Sequence, residues 1–263
     1  MDISIEAARE RIRQARRIIV LTGAGISVAS GLPVYRGETG SRYDEPDALR
    51  HAMAGTLRED PAAYWRRFGM RRAEFLACTP NAAHRMLAQF IGSAGERQQQ
   101  VLLTTTNIDN LHRRAGSHDV IEMHGNAFYL RCLDDDCDSP AVRDETDPDA
   151  STTAEIPRCR RCGNLMRPDV VLFGEGAPAK WQPVRDFAAA GGVDVAVLIG
   201  LSGVVTVDAS LLACIVEHGP RPWVLDVNPR PRLEGRVIDA VVRAAAEEAV
   251  PALFRVSRGV PGV

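Results

Sequence analysis

The sequence has no hydrophobic run that approaches the roughly 18 apolar residues of a transmembrane helix. Its first segment, Asp2–Arg17, mixes acidic residues with arginines and lacks the apolar centre of a signal peptide. The chain also lacks an excess of either charge, since its 32 Lys and Arg residues nearly balance its 34 Asp and Glu residues and give a net charge of -2. Without a basic excess, nucleic acid is not an expected ligand. We therefore expect a cytoplasmic protein that binds neither membranes nor nucleic acids.

Aromatic residues make up only 5% of the chain, but hydrophobic residues reach 45%, which is ordinary for a globular protein. At 263 residues the chain can form one domain, or one domain with a small insertion. Short apolar runs that are typical of buried parallel strands alternate with helical patterns. This alternation predicts an α/β fold with a doubly wound, Rossmann-like parallel sheet. The runs are Ile18–Thr22, Val101–Thr105, Val193–Ile199 and Trp223–Val227; the helical patterns are Ile5–Ala15, Asn81–Ile91, Trp181–Ala189, Ala209–Glu217 and Ala240–Phe254.

The first apolar run ends at a glycine turn, Gly23-Ala24-Gly25, and Ser27 and Ser30 follow where a helix could begin. A strand, a glycine turn and a helix start are the parts from which parallel-sheet proteins build a phosphate cradle. The spacing differs from the usual G-x-G-x-x-G, so the turn by itself fits a plain strand–turn–helix connection equally well. The turn indicates nucleotide binding only if other features agree.

Four of the six cysteines form two close pairs, Cys132 with Cys137 and Cys159 with Cys162. Two such pairs can place four thiolates around one Zn²⁺, and a site filled by four cysteines leaves no open position for catalysis. The surrounding sequence is polar and acidic, so a structural metal would stabilise a segment that has little to bury. Disulfides or unrelated thiols are the alternative, which a reducing cytosol disfavours.

Several segments, in order and in spacing, resemble the motifs of sirtuins, the NAD-dependent protein deacylases. They are Arg17–Arg36, Pro80–His84, Thr106–His112, Val120–Gly125, the cysteine pairs, Arg167–Glu175, Gly200–Ser202 and Val227–Asn228. The resemblance implies a doubly wound fold with two insertions. An NAD-binding domain would comprise 1–37, 81–125 and 169–263, with a helical insertion at 38–80 and a zinc-binding module at 126–168.

The resemblance also implies that NAD is consumed as a co-substrate. The positions that match its binding residues are Gly23, Ala24, Gly25, Ser27, Arg36, Thr106, Asn107, Ile108, Asp109, Gly200, Ser202 and Asn228. His124 matches the catalytic base, and Asn107 and Asp109 would hold the nicotinamide and its ribose. Outside the resemblance, Asn107 and Asp109 also suit an Asx turn at a helix start, and His124 suits an ordinary turn.

A strand after the cysteine pairs resembles the one with which sirtuins hold an acyl-lysine peptide. Its matching residues are Val171, Phe173, Gly174 and Glu175. An exposed strand edge can bind an extended peptide through its backbone and read little of the peptide's sequence. The resemblance therefore implies acyl-lysine proteins or peptides as partners, whereas an ordinary strand end is the alternative.

Sirtuins that remove succinyl or malonyl groups carry Y-x-x-R in the helical insertion, where this chain has Phe68 and Arg71. Arg71 could pair with an acyl carboxylate, or it could be one solvated arginine among several. Phenylalanine cannot donate the hydrogen bond that tyrosine would add. We therefore expect mixed specificity, with acetyl-lysine accepted and succinyl-lysine turned over detectably.

The chain departs from the sirtuin pattern near the cofactor positions. Thr106 replaces the usual glutamine, Leu201 replaces the threonine of G-T-S, and Asp208 lies near the usual proline. The function that the resemblance implies is protein-lysine deacylation that releases nicotinamide and O-acyl-ADP-ribose. Two alternatives stay open: mono-ADP-ribosyl transfer or NAD hydrolysis on the same scaffold, and a sensor that binds NAD or ADP-ribose without turnover. A proton acceptor at His124 speaks against a pure sensor.

Overall fold

The computed structural model describes residues 1–34, 50, 52–144, 156–175, 180–201, 207–231 and 237–255. Two predicted cofactor residues, Arg36 and Ser202, lie outside the described residues, as does the side chain of Asp208. Part of the predicted helical insertion, at 38–49, lies outside them as well. Among the described helices, none is long and apolar enough to cross a membrane.

The described strands divide into a central parallel sheet and a small antiparallel one. In chain order they are β1 (Arg17–Thr22), β2 (Gln100–Thr105), β3 (Ile121–Glu122), β4 (Gly125–Cys132), β5 (Val142–Arg143), β6 (Met166–Val170), β7 (Val195–Ile199), β8 (Trp223–Val227) and β9 (Ala240–Val242). The central sheet has the order β3-β2-β1-β7-β8-β9, and all neighbouring strands are parallel. The strand order reverses between β1 and β7, which is where doubly wound sheets bind ligands.

Helices cover both faces of the central sheet and form most of the helical insertion. They are α1 (Ile5–Gln14), α2 (Ala54–Glu59), α3 (Pro61–Ala77), α4 (Ala82–Gly92), α5 (Leu111–Arg114), α6 (Gln182–Ala189), α7 (Val207–His218) and α8 (Ala246–Leu253), with 3-10 helices at Ala24–Ser30 and Gly95–Arg97. Several begin at residues suited to capping. The side chain of Asn81, for example, accepts hydrogen bonds from the first turn of α4.

The core consists of two layers, one on each face of the sheet. Alternate residues of β1 point to opposite faces. Ile18 and Val20 pack with residues of α1, α4 and α8 in one cluster. Ile19 and Leu21 pack with residues of α6 and α7 in the other. This arrangement confirms the predicted α/β class with a doubly wound parallel sheet.

The helical insertion packs directly on the small antiparallel sheet, whose order is β5-β4-β6. Tyr64 and Phe68 of α3 share a third apolar cluster with Phe128 of β4 and Val170 of β6. Trp65, next along α3, packs against the cysteine-bearing end of the same sheet and donates its indole N–H to the Met166 carbonyl over 3.3 Å. The two insertions therefore stabilise each other.

The structure corrects two local predictions. The pattern of Ala240–Phe254 predicts one helix, but Ala240–Val242 forms β9, which pairs in parallel with β8, and the helix begins only at Ala246. A run of three buried apolar residues fits an edge strand as well as it fits one face of a helix, so periodicity alone does not distinguish the two structures here. Neither Ser27 nor Ser30 begins a helix, because both lie inside the 3-10 helix that starts at Ala24.

The loops after β1 and β7 touch backbone to backbone where the strand order reverses. Gly25 donates its N–H to the carbonyl of Gly200 over 2.9 Å, and Gly200 has a left-handed conformation with φ 63°. A Cβ on Gly25 would lie 2.6 Å from the Cα of Gly200. Position 25 therefore requires glycine because the loop after β7 approaches it so closely, whether or not a phosphate also binds there.

The four paired cysteines converge at one end of the small sheet. The Sγ atoms of Cys132, Cys137, Cys159 and Cys162 lie within 4.8 Å of one another, and all six cysteines of the chain are free thiols. Backbone N–H groups of Cys162 and Arg161 donate to the Cys159 sulfur and lower the pKa of this thiol to about 6. Four convergent sulfurs fit one tetrahedral, structural Zn²⁺.

Replacing Gly25 tests the contact between the two loops. Gly25→Ala should lower the free energy of unfolding by about 1–3 kcal/mol, because the new Cβ meets backbone atoms that cannot rotate aside. Gly55→Ala is the matched control, since a Cβ at Gly55 in α2 meets nothing within 4 Å. Urea unfolding measures both variants. Equal stability of the two would contradict the assigned role of Gly25.

Replacing one thiolate tests the metal site. Cys159→Ser should lose bound zinc and unfold at a lower temperature, because the free energy of zinc binding contributes to folding. Cys78→Ser serves as the control, since Cys78 lies outside the cluster. Metal analysis of reduced, purified protein gives the zinc content, and thermal unfolding gives the stability. A parent protein without zinc would refute the site.

Candidate active site

The predicted site residues gather at the carboxyl ends of the central strands. Gly23 follows β1, Asn107 follows β2 and His124 follows β3. From the other half of the sheet, Gly200 follows β7 and Asn228 follows β8. Five loops from both sides of the switch point therefore border one region, which is where a dinucleotide binds in this architecture.

A buried hydrogen-bond network joins the glycine loop to the loop after β2. The hydroxyl of Ser27 donates to Asp109 Oδ2 over 2.7 Å. The amide of Asn107 donates to the Gly23 carbonyl over 3.0 Å and to Ser27 Oγ over 3.2 Å. Asn107 and Asp109 are both buried. The structure thus brings together three of the predicted cofactor residues and fixes their side chains against the loop.

Asp109 is a carboxyl group that is buried from solvent. Burial raises its pKa, while hydrogen bonds from the Leu111 backbone and from Ser27 oppose the rise. The Leu111 N–H reaches Asp109 Oδ1 over 2.9 Å, which makes an Asx turn into α5. The Asx turn, which was the alternative interpretation of Asp109 in the sequence, is therefore present, and the same carboxylate also accepts the hydrogen bond from Ser27. A buried carboxylate at this edge suits a ligand that carries positive charge, such as an oxidised nicotinamide ring.

His124 lies in the turn between β3 and β4 and has the properties of a general base. Burial lowers its pKa, a hydrogen bond to the Thr106 backbone carbonyl opposes this, and the positive charge of Lys180 lowers it further. The lowered pKa favours the neutral form of the imidazole. One ring nitrogen donates to Thr106, so the other can accept a proton. Because this contact uses the backbone carbonyl of residue 106, it does not depend on whether the side chain there is threonine or the glutamine that is usual in sirtuins.

A cavity of about 460 Å³ opens beside His124 and is lined by residues of α2, of β4 and β6 in the small sheet, and of the loop after β6. Three predicted peptide-binding residues, Val171, Gly174 and Glu175, line it. Phe173 instead pairs with the segment before α2, donating its N–H to the Ala52 carbonyl over 2.9 Å. Because its backbone is already paired there, Phe173 offers less open strand edge than the sequence suggests. Its role in peptide binding stays a prediction.

Glu175 stabilises the loop that forms one wall of the cavity. Its carboxylate pairs with the buried guanidinium of Arg167 and accepts the Leu172 N–H over 2.8 Å. Arg167 also donates to the Val170 carbonyl over 2.8 Å. The sequence prediction did not single out Arg167, although it stands in the same string as Glu175. Arg167 and Glu175 are eight residues apart, and this spacing alone does not predict that an ion pair between them closes the loop.

The two predicted acyl-selecting residues have different surroundings. Phe68 is buried and its ring stacks on Tyr64, with centroids 5.8 Å apart. Arg71 pairs with Glu74 and lies over the ring of Phe75 at 4.4 Å. Only 14% of the Arg71 side chain is exposed, and its charge acts on Asp109. Arg71 is therefore not a solvated surface arginine, and its pairing with an acyl group stays a prediction.

Of the remaining predicted cofactor residues, Asn228 connects the two loops that follow β7 and β8, in the second half of the central sheet. Asn228 donates its amide to the Leu201 carbonyl over 2.6 Å and accepts the Arg230 N–H over 3.0 Å. These contacts join the loop after β8 to the loop after β7. Ala24 and Ile108 lie in the same two loops as Gly25 and Asp109. Buried polar groups from both halves of the sheet thus fit a dinucleotide.

Two threonines and two histidines pack behind the site, and none of them was among the predicted site residues. Thr22 Oγ1 donates to Thr105 Oγ1 over 2.8 Å, and His112 Nε2 lies 2.8 Å from the same Thr22 oxygen. His84 packs edge-on against His112 with ring centroids 4.9 Å apart. Both histidines are buried, as expected of structural residues. The two histidines are 28 residues apart in the sequence, and no local pattern around either one indicates that their rings are in contact.

Comparison with known proteins agrees with this geometry. Residues 23–207 match the model of the Sir2 family. The chain is similar to NAD-dependent protein deacylase 1 of Pseudomonas aeruginosa, with 36% identity over 262 residues that cover 98% of this chain and 100% of the relative.

Solved structures give the same result. A crystal structure described as a Sir2 homolog–NAD complex superposes with a TM-score of 0.80 and 29% identity, covering 96% of this chain and 93% of the other. A Sir2 variant with a deacetylated p53 peptide and 3'-O-acetyl ADP ribose superposes with a TM-score of 0.77 and 26% identity, covering 96% and 98%. Because the family model matches well over half of the sequence, the chain belongs to the Sir2 family, whose members are called sirtuins.

Proposed function

We propose that this chain is an NAD-dependent protein-lysine deacylase, which moves the acyl group of a modified lysine to ADP-ribose and releases nicotinamide. The observation that carries this function is the position of His124. Its neutral imidazole is oriented by the Thr106 carbonyl and lines a cavity large enough for a peptide side chain. The relative from Pseudomonas aeruginosa that covers this chain is named a deacylase.

The residues of the chain have separate tasks in this reaction. When bound, NAD supplies the reactive bond between nicotinamide and ribose. The Asn107 amide and the Asp109 carboxylate would hold the nicotinamide half, and their network with Ser27 holds them in place beforehand. His124 would act as the general base, because the ring nitrogen that does not face Thr106 could accept the proton of a ribose hydroxyl.

Product analysis separates this function from its alternatives. The purified chain is incubated with NAD and an acetyl-lysine peptide, and the products are analysed by mass spectrometry. Deacylation predicts nicotinamide, deacetylated peptide and O-acetyl-ADP-ribose in equal amounts. A protein that gains the mass of ADP-ribose would indicate ADP-ribosyl transfer, and free ADP-ribose without deacetylated peptide would indicate hydrolysis. No product of any kind would indicate a sensor.

His124→Ala tests the assignment of the base. We expect kcat to fall by about 10²- to 10⁴-fold, because a general base contributes to the reaction, while NAD affinity changes by no more than a few fold. His118→Ala is the control, since His118 is exposed. Steady-state kinetics and NAD titration measure both variants. Deacylation by His124→Ala at the parent rate would exclude His124 as the base.

We further propose that the acyl range includes succinyl-lysine and that Arg71 contributes to it. A hydrogen bond to a charged group is worth about 1.5–3 kcal/mol, so Arg71→Ala should lower kcat/KM for succinyl-lysine by about 10- to 100-fold and spare acetyl-lysine. Arg66→Ala, an exposed arginine on the same helix, should change neither activity. Phe68→Tyr should raise the succinyl activity. Equal loss of both activities in Arg71→Ala would refute the acyl-reading role.

We also propose a cytoplasmic setting. Six free cysteines, four of them converging for a metal, suit a reducing compartment better than an oxidising one. Acyl-lysine proteins are the partners that we propose for the cavity, with no role for nucleic acid.

A further inference from the structure

Lys180 is the only lysine in the 263 residues, and all the other cationic residues among the 32 are arginines. It stands in the wall of the cavity that His124 lines. A guanidinium stays protonated in proteins, so arginines do not accept acyl groups as amines do. Apart from the α-amino group of Met1, the chain therefore carries a single acylatable amine, and that amine lies in the cavity of a lysine deacylase.

The surroundings of Lys180 leave its amine close to the reactive residues and open to solvent. Its Nζ lies 3.4 Å from Asp169 Oδ2, and 35% of the side chain is exposed. The charge of Lys180 acts on both His124 and Glu122. A half-exposed ion pair of this kind holds its partners weakly. The amine can therefore leave Asp169 at little cost and still remain within the cavity.

A neutral, acylated Lys180 is compatible with the rest of the cavity wall. Asp169 would keep a second cation, because Arg131 Nε lies 3.9 Å from its other oxygen, Oδ1. The cavity also has small or apolar lining residues, including Ala54, Val171 and Gly174. Acylation removes the lysine charge but leaves no carboxylate without a counter-charge. The cavity thus offers space for an acyl group on the chain's own lysine.

We propose that Lys180 is an acylation site, and that its acylated side chain occupies the chain's own cavity and competes with acyl-lysine substrates. The competition rests on the proposed deacylase function. In the acylation step the ammonium first loses a proton to solvent, and Nζ attacks the carbonyl carbon of an acyl thioester. The nitrogen–carbon bond forms and the carbon–sulfur bond breaks. The thiol leaves with the second proton of the amine.

Labelling with acetyl-coenzyme A tests the site directly. The full chain, loaded with zinc and free of NAD, is incubated with the thioester and mapped by tryptic digestion, because acetylation blocks cleavage after Lys180. A lysine-containing peptide in the same tube reports that the reagent acetylates exposed amines. We expect acetylation of Lys180. Labelling of the reporter peptide and of Met1 without labelling of Lys180 would overturn the proposal.

Binding of a fluorescent acetyl-lysine peptide, before and after treatment, tests the competition. The treated parent protein should bind the peptide several-fold more weakly, whereas Lys180→Arg should show the same affinity before and after treatment. Equal affinity of the labelled and unlabelled parent would overturn the inference. Deacylation by the untreated parent with NAD tests the proposed function separately. If that activity is absent but Lys180 is labelled, the function fails and the acylation site stands.

Discussion

The site depends on a carboxyl group, Asp109, that is buried and must be hydrogen-bonded where it lies. An uncompensated buried carboxylate is costly, and here the Ser27 hydroxyl and the Leu111 N–H provide the compensation. To reach Asp109, Ser27 must project from a tight 3-10 helix directly after the glycine turn. Asn107 then links the same hydroxyl to the Gly23 carbonyl. The first and second strands are thereby joined at the edge of the sheet where we propose that NAD binds.

The two insertions contribute by fixing the other wall of the cavity. β4 begins at Gly125, next to His124, and ends at Cys132, roughly 20 Å away along the strand. Gly125 has φ 82°, and a Cβ there would lie 1.8 Å from the Asp169 carbonyl of β6. The histidine is therefore positioned by the pairing of β4 with β6. The four converging cysteines at the far end and the helical insertion that packs on the small sheet stabilise that pairing.

Much of this arrangement follows from local sequence. The four buried strands, the cysteine pairs and the placement of Asn107 and Asp109 after the second of these strands are all readable from short patterns, whereas the two-residue strand before His124 is not. The rest depends on residues far apart in the chain. That Gly25 meets Gly200, or that Glu175 closes a loop onto Arg167, follows from packing that no local pattern encodes. Where a segment is short and apolar, as in β9, tertiary pairing and not periodicity decides between strand and helix.

A double-mutant cycle on Ser27 and Asp109 measures whether their buried hydrogen bond holds the two loops together. The free energy of unfolding is measured in urea for Ser27→Ala, Asp109→Ala, the double variant and the parent protein. If the two side chains stabilise each other as a buried pair, their effects should be non-additive by about 1–3 kcal/mol, since either single change already removes the hydrogen bond between them. Additive effects would show that Ser27 and Asp109 do not stabilise each other and that their hydrogen bond does not hold the site together.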